Sequence, residues 1–330
     1  MSPRAILLIG DIVHCEDEWK ELSSCAILKE YRTGNREEFI ANCTSGEYDD
    51  VVAIYRSNAS TPVTGPFNAE LLRVLPTSLK FICHNGAGYD NIDVKACRIL
   101  VSSTPRAVNH ATADVAIFLM IGALRQMHIP LTSIRSGEWQ GKMKLGRDPK
   151  GKVLGILGMG GIGTEVAIRA QAFGMKVIYH NRGRLSPEPK GTKYVSFDEL
   201  LAQSDVLSLN LSLYAETKHI INENVFKKMK DGVVIVNTAR GGLMDEKALV
   251  AALASGKVGS VGLDVYENEP QVEQGLLDNP RVFLLPHIGT ATKETQKEME
   301  ELVLDNVKSA LDKGVLITQV REQKNIASRI

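Results

Sequence analysis

Three polar residues stand just beyond apolar runs in the second half of the chain, and their types suit one chemistry. Arg240 lies in Val236-Asn-Thr-Ala-Arg240-Gly-Gly, Glu269 in Gly262-Leu-Asp-Val-Tyr-Glu-Asn-Glu269-Pro, and His287 in Leu285-Pro-His287-Ile-Gly-Thr. Singly, each has an ordinary reading: Arg240 pairs locally, Glu269 is a surface loop residue, His287 is structural. Together they supply what hydride transfer to an oxo acid requires. A cation holds the substrate carboxylate and polarises the carbonyl, an imidazolium donates a proton, and a carboxylate keeps that imidazole charged near neutral pH.

The residues upstream strengthen this combination. Val153-Leu-Gly-Ile-Leu-Gly158-Met-Gly160-Gly-Ile-Gly163 follows an apolar strand and opens a helix, and a second strand follows at 177–179. Gly158 permits the tight turn, Gly160 lets backbone approach a pyrophosphate, and Gly163 lets helix and strand pack closely. With Ile162, the helix N-terminus offers N–H groups to the phosphates. A lone G-x-G-x-x-G is weak evidence, but here the strand–turn–helix–strand context is complete. The end of the second strand reads His180-Asn181-Arg182-Gly183-Arg184, with no carboxylate to bind a ribose 2′-hydroxyl. The two guanidinium groups in that place, Arg182 and Arg184, together with Asn181, favour a 2′-phosphate, so NADPH is the expected dinucleotide and NADH a usable one. Solvated arginines beside a bound NAD remain the alternative.

These residues need parallel strands to carry them. Strands are expected at 5–9, 51–55 and 79–83, with helical pieces at 69–74 and 95–98, and that alternation argues for β-α-β units. A long helix is expected from about Ala111 to Gln126, with Asn109, Thr112 and Asp114 as capping and first-turn residues. Residues 132–150 read as an exposed connection. A denser series follows, with strands at 153–157, 176–180, 206–210, 233–237, 258–263 and 282–285, helices at 162–173 and 247–255, and a long helix at 293–312. Arg240, Glu269 and His287 each follow a strand, at the edge where open α/β sheets bind ligands.

The chain of 330 residues is long enough for two domains, and its formal net charge of zero gives no general attraction to nucleic acid or membrane. Cys15, Cys25, Cys43, Cys83 and Cys97 read as reduced thiols, and no metal-ligand spacing is present. The apolar start is too short for a signal peptide, and the stretch around Ala116–Leu124 is too short for a membrane span. A cytoplasmic location is expected. The final Ala-Ser-Arg-Ile330 faintly echoes a peroxisomal address, from which the Ile departs.

The glycine motif, N-T-A-R-G-G, G-L-D-V-Y-E-N-E-P and P-H-I-G-T, in this order, resemble the D-isomer-specific 2-hydroxyacid dehydrogenases over nearly the whole chain. Within that family the sequence is most similar to the glyoxylate and hydroxypyruvate reductases. The resemblance implies that Arg240, Glu269 and His287 are the catalytic trio, and that Asp264 meets the nicotinamide carboxamide with help from backbone near Ala239. It also implies that Thr112 lies near the cofactor phosphates. His84-Asn-Gly86-Ala-Gly88-Tyr-Asp90 matches a turn whose N–H groups, at Ala87 and Gly88 here, hold the substrate carboxylate, although a simple capped turn has the same composition.

The implied architecture is α/β, with two Rossmann-like, doubly wound parallel-sheet domains. A discontinuous substrate domain comprises 1–107 and 294–330, and a dinucleotide domain comprises 108–293, with helices starting near His110 and Lys293 passing between them. A homodimer built through the dinucleotide domain is the implied assembly, with no nucleic-acid or membrane partner. Strand-end residues Arg56, Ser57 and Asn58 are expected to face the ligand and sort substrates, and the role of Trp139 is left open. Two other functions are weighed. A formate dehydrogenase does not need an acid pair, so Glu269 with His287 argues against it. A dinucleotide-sensing corepressor would bind dinucleotide without turnover.

Overall fold

The computed structural model describes residues 4–57 and 60–324. Asn58 and the C-terminal Ala-Ser-Arg-Ile330 lie outside the described residues. The chain divides into two compact units, one of residues 1–108 with 291–330 and one of residues 109–290.

The first unit contains a five-stranded, all-parallel sheet in the order β2-β1-β3-β4-β5. Its strands are β1 (Ala5–Ile9), β2 (Ile27–Tyr31), β3 (Val51–Ser57), β4 (Phe81–Asn85) and β5 (Leu100–Ser102). Its helices are α1 (Glu16–Glu21), α2 (Arg36–Thr44), α3 (Thr61–Thr64), α4 (Ala69–Val74) and, from the far end of the chain, α12 (Lys293–Lys313). β1 shows why the sheet is covered on both faces. Ala5, Leu7 and Ile9 join one apolar cluster with Phe39, Phe67 and Leu71. Ile6 and Leu8 point the other way, into a second cluster with Trp19, Val303 and Val307. Side chains alternate across a strand, so a run apolar at every position is a strand buried on both sides.

The second unit carries a seven-stranded, all-parallel sheet in the order β12-β11-β10-β9-β6-β7-β8. Its strands are β6 (Val153–Leu157), β7 (Lys176–His180), β8 (Thr192–Tyr194), β9 (Val206–Leu209), β10 (Val233–Asn237), β11 (Val258–Leu263) and β12 (Val282–Leu284). Its helices are α5 (Asn109–Arg125), α6 (His128–Arg135), α7 (Gly161–Ala172), α8 (Phe197–Gln203), α9 (Glu223–Lys228), α10 (Glu246–Ala254) and α11 (Gln274–Leu277). Strand order reverses between β6 and β9, which places a switch point beside the glycine-rich turn that leaves β6. Val233 and Ile235 of β10 enter one core cluster while Val234 and Val236 enter the other.

Several elements differ from the sequence expectation. Lys95–Arg98 is a run of turns and irregular chain rather than a helical piece. α6 occupies the first part of the expected connection, and residues 136–150 form the exposed remainder. β5, buried but only three residues long, was not anticipated, and neither were β2 and β8. Both are sheet-edge strands whose side chains are mostly half-exposed, so neither shows a clean apolar run. The five cysteines are unpaired, and four of them are buried. Among the described residues no single helix is long and apolar enough to cross a membrane, and no group of His, Cys, Asp and Glu is arranged to hold a metal.

Candidate active site

β10 ends at Asn237, which is fully buried and organises the turn behind it. Its Oδ1 accepts from the Ala239 N–H at 3.0 Å, and its Nδ2 donates to the Arg240 carbonyl at 2.8 Å. An Asx side chain thus replaces the missing ladder bonds and presents Arg240 at the strand's C-terminal end. The Arg240 guanidinium donates to the Ala239 carbonyl at 2.8 Å. Gly241 follows because backbone of Tyr266 and Glu267 occupies the space a Cβ would need. The Arg240 loop is therefore seated directly on the loop that carries Glu269.

That second loop leaves β11 at Asp264. The Asp264 N–H donates to the Asn237 carbonyl at 3.0 Å, so the two loops share a hydrogen bond at their roots. Both carboxylate oxygens of Asp264 accept from backbone, Ile288 N–H and Gly289 N–H at 2.8 Å each. Asp264 is buried, which raises its pKa above the ordinary carboxylate value, against the pull of those N–H groups and of His287. A side chain at Gly289 would touch both Asp264 and Thr112, so Thr112, buried in the first turns of α5, stands beside this loop.

His287 adopts φ of +56°, a left-handed conformation uncommon for a residue with a side chain. The Asp264 carboxylate holds the two N–H groups that follow it, and Glu269 holds its ring: Nδ1 lies 2.7 Å from Glu269 Oε2. The other Glu269 oxygen accepts from the Tyr266 N–H at 2.9 Å. Burial raises the Glu269 pKa, but the His287 hydrogen bond, the Tyr266 N–H and the charges of His287 and Arg240 outweigh it. The carboxyl lies below its ordinary range and stays ionised throughout the pH range in which an imidazole titrates. With Nδ1 engaged, Nε2 is the ring nitrogen left to exchange a proton.

A second His–Glu pair, unsuspected from sequence, adjoins the first. His219 Nε2 lies 2.6 Å from Glu267 Oε1, and the His219 N–H donates to the Gly242 carbonyl at 2.9 Å. The Glu267 N–H donates to Glu246, a buried residue of α10 whose pKa is raised by that burial. Glu267 and Glu269 both lie in Tyr-Glu-Asn-Glu, and spacing alone does not say which of them meets His287.

The expected dinucleotide loop has the shape such a cofactor requires. Gly158 sits at φ of +100°, and a Cβ there would collide with Asn210 backbone. Gly160 faces open space, which leaves backbone accessible to a bulky anion. At Gly163 a Cβ would meet the Gly158 carbonyl and Ile156, so glycine is required for close packing of α7 on β6. Gly160 supplies no side-chain cap, so the first N–H groups of α7, around Ile162, remain open to phosphate. Asn181 is fastened to this loop, accepting from Met159 N–H at 2.7 Å and donating to Met159 carbonyl at 3.4 Å. Arg182 lays its guanidinium over the Tyr214 ring, 5.7 Å from the centroid. Arg184 differs from expectation: Glu188, four residues on, takes its Nε at 2.9 Å, whereas no carboxylate among the described residues pairs with Arg182.

In the first unit, β4 leads into the Gly86-Ala87-Gly88 turn. Among the described residues no protein acceptor meets the N–H of Ala87 or of Gly88. The strand-end expectation is corrected at Arg56 and Ser57. Both are buried, Arg56 completely, and neither is an exposed strand end. Trp139 is exposed.

Comparison with known proteins accords with this arrangement. Residues 117–289 match the model described as D-isomer specific 2-hydroxyacid dehydrogenase, NAD binding domain. The chain is 71% identical over 324 residues to 4-methyl-2-oxopentanoate reductase A of Aspergillus oryzae, covering 97% of this chain and 98% of that protein. The crystal structure of a glyoxylate reductase from Paecilomyes thermophila superposes with a TM-score of 0.96 at 70% identity, covering 98% of this chain and 100% of that one. An NADPH-dependent glyoxylate/hydroxypyruvate reductase from Sinorhizobium meliloti, solved with NADP and malonate, gives a TM-score of 0.85 at 32% identity, covering 97% and 98%. With a nicotinamide dinucleotide loop and an Arg–Glu–His cluster borne on adjoining strand ends, the chain belongs to the D-isomer-specific 2-hydroxyacid dehydrogenases.

Proposed function

We propose that the protein reduces a small 2-oxo acid of the glyoxylate and hydroxypyruvate kind to the D-2-hydroxy acid, with NADPH as preferred reductant. The observation that carries the reaction is the His287–Glu269 contact of 2.7 Å, with the Glu269 loop hydrogen-bonded at its root to the Arg240 loop. The bound dinucleotide supplies a hydride to the carbonyl carbon. Arg240 engages the carboxylate and polarises the carbonyl, and His287 Nε2 gives its proton to the carbonyl oxygen. Glu269 stabilises the imidazolium that donates it. Ala87 and Gly88 offer their N–H groups to the same carboxylate. Asp264 and Ala239 would hold the nicotinamide and Thr112 the phosphates.

The preference for NADPH rests on Asn181 and Arg182 at the end of β7. With Arg184 engaged by Glu188, a single substitution tests it. Arg182→Ala removes one charge-assisted contact, about 1.5–3 kcal/mol, so KM for NADPH rises roughly 10- to 150-fold while KM for NADH barely moves. A parent enzyme that prefers NADH overturns this reading. The substrate is tested with glyoxylate, hydroxypyruvate, pyruvate and 4-methyl-2-oxopentanoate, each with NADPH and NADH. A second reading, reduction of the branched acid, is favoured by the 71% identical relative that carries its name. Higher kcat/KM for 4-methyl-2-oxopentanoate than for glyoxylate selects that reading.

The proposed assembly is a homodimer through the dinucleotide unit. Leu131, Ile134, Trp139 and Leu145 are exposed on α6 and the segment after it, and Leu145 is 97% accessible. Large apolar side chains gathered in one short segment suit a protein contact. Light scattering on the purified protein is expected to report twice the 36.1 kDa of one chain, and a stable monomer at micromolar concentration overturns it.

A further inference from the structure

Arg56 is the least expected residue of the first unit. It lies at the C-terminal end of β3 with no exposed surface, and among the described residues no carboxylate pairs with it. Its guanidinium sits over the Phe67 ring at 4.9 Å, one Nη donates to Thr61 Oγ1 at 3.1 Å, and the other lies 3.1 Å from His84 Nδ1. Its Nε has no partner. Burial pushes the guanidinium down to about 10, so it remains a cation at neutral pH. A buried cation without a counter-charge costs several kcal/mol, which a purely structural position would be expected to avoid.

The partner explains where the charge acts. A guanidinium can only donate, so His84 Nδ1 must accept, and the ring is a neutral imidazole carrying its hydrogen on Nε2. His84 Nε2 lies 3.1 Å from the Gly88 carbonyl, so that hydrogen is donated there. A Cβ at Gly86 would fall 2.5 Å from the same nitrogen, so glycine is what allows the turn to wrap the ring. Arg56 and His84 are register partners on β3 and β4, so the sheet itself holds the two side chains together.

We infer that Arg56 is a positioning residue for the substrate carboxylate, acting through His84: it fixes the tautomer of His84, which pulls in the Gly88 carbonyl and sets the Gly86–Gly88 turn with the Ala87 and Gly88 N–H groups outward. The buried charge, one imidazole away, also favours an anion at that turn. This rests on the proposed carboxylate role of Ala87 and Gly88. Without Arg56 the acceptor role of Nδ1 is no longer enforced, so the hydrogen is held less firmly on Nε2 and the Gly88 carbonyl is drawn in less firmly.

The test uses the full-length enzyme with saturating NADPH, and reads KM for the preferred 2-oxo acid, inhibition by oxamate as an unreactive mimic, and KM for NADPH. In Arg56→Met and His84→Phe, the oxo-acid KM and the oxamate inhibition constant rise about tenfold or more, with NADPH KM within about twofold. His84→Gln can accept from Arg56 and donate to Gly88 at once, so it recovers most of the affinity. The inference is overturned if the oxo-acid KM is unchanged in Arg56→Met or His84→Phe, if both KM values rise together, or if His84→Gln is no better than His84→Phe. Should Arg56→Met fail to fold, the two His84 variants decide the matter. Ala87→Pro removes one N–H directly. If it leaves oxo-acid KM unchanged, the carboxylate reading itself fails. If it raises KM while Arg56→Met does not, only the role of Arg56 fails.

Discussion

Replacing His287 with Asn is expected to lower kcat for oxo-acid reduction by about 100- to 10,000-fold, the range for loss of a positioned general acid. Dinucleotide binding should be unaffected, because the glycine loop takes none of its support from His287. Reduction consumes one proton, and His287 must be protonated to supply it. Parent activity in reduction is therefore expected to be greatest at low to neutral pH and to fall as pH rises. Oxidation of the hydroxy acid needs the neutral ring and is expected to fall as pH is lowered. Glu269 does not add a limb of its own near neutrality, because its carboxyl lies below the ordinary range and is already ionised there.

Glu269→Gln separates the charge from the shape. The amide keeps the size and can still meet Nδ1 but no longer stabilises the imidazolium. Both limbs are expected to move to lower pH, and each pH unit of movement corresponds to about 1.4 kcal/mol of coupling between the two groups. The measurement is kcat/KM against pH in both directions for the parent and both variants, with chemistry shown to be rate-limiting. Near-parental turnover in His287→Asn removes His287 from the reaction. An unmoved profile in Glu269→Gln uncouples the carboxylate from the donor, and Glu267 with His219, the neighbouring pair, becomes the next to substitute.

Arg240→Lys carries the second large effect. Lysine retains the charge but not the planar fork that can hold a carboxylate while touching the carbonyl. The loss of a charge-assisted hydrogen bond, about 1.5–3 kcal/mol, sets a floor of roughly 10- to 150-fold on kcat/KM. Because the carboxylate is common to all 2-oxo acids, the loss is expected for every member of the substrate panel. The Asn237 clamp on the Ala239 and Arg240 backbone is independent of the side chain, so the fold should survive, as thermal unfolding will report. Normal kcat/KM in Arg240→Lys excludes Arg240 from carboxylate recognition.

Sequence alone determined those features that depend on local backbone or on burial from both sides. Gly158 and Gly163 are glycines because a turn and a helix–strand contact within six residues require them, so chain order suffices to reveal them. The strands of the second unit other than β8 read clearly because a parallel strand covered on both faces is apolar at every position, as in Val233–Val236. Arg240, Glu269 and His287 could be named because each follows such a strand.

Tertiary structure decided the rest, since it concerns partners distant in sequence or choices between similar neighbours. Edge strands β2 and β8 are partly exposed and carry no apolar signature. Of two carboxylates in Tyr-Glu-Asn-Glu, it is Glu269 that reaches His287, while Glu267 turns to His219, a choice that depends on where the loop places each side chain and not on spacing. Arg182 and Arg184 looked equivalent until Glu188 claimed one of them. Arg56, whose charge suggested an exposed strand end, is held inside by the register that pairs it with His84, a contact between residues 28 apart that no local pattern encodes.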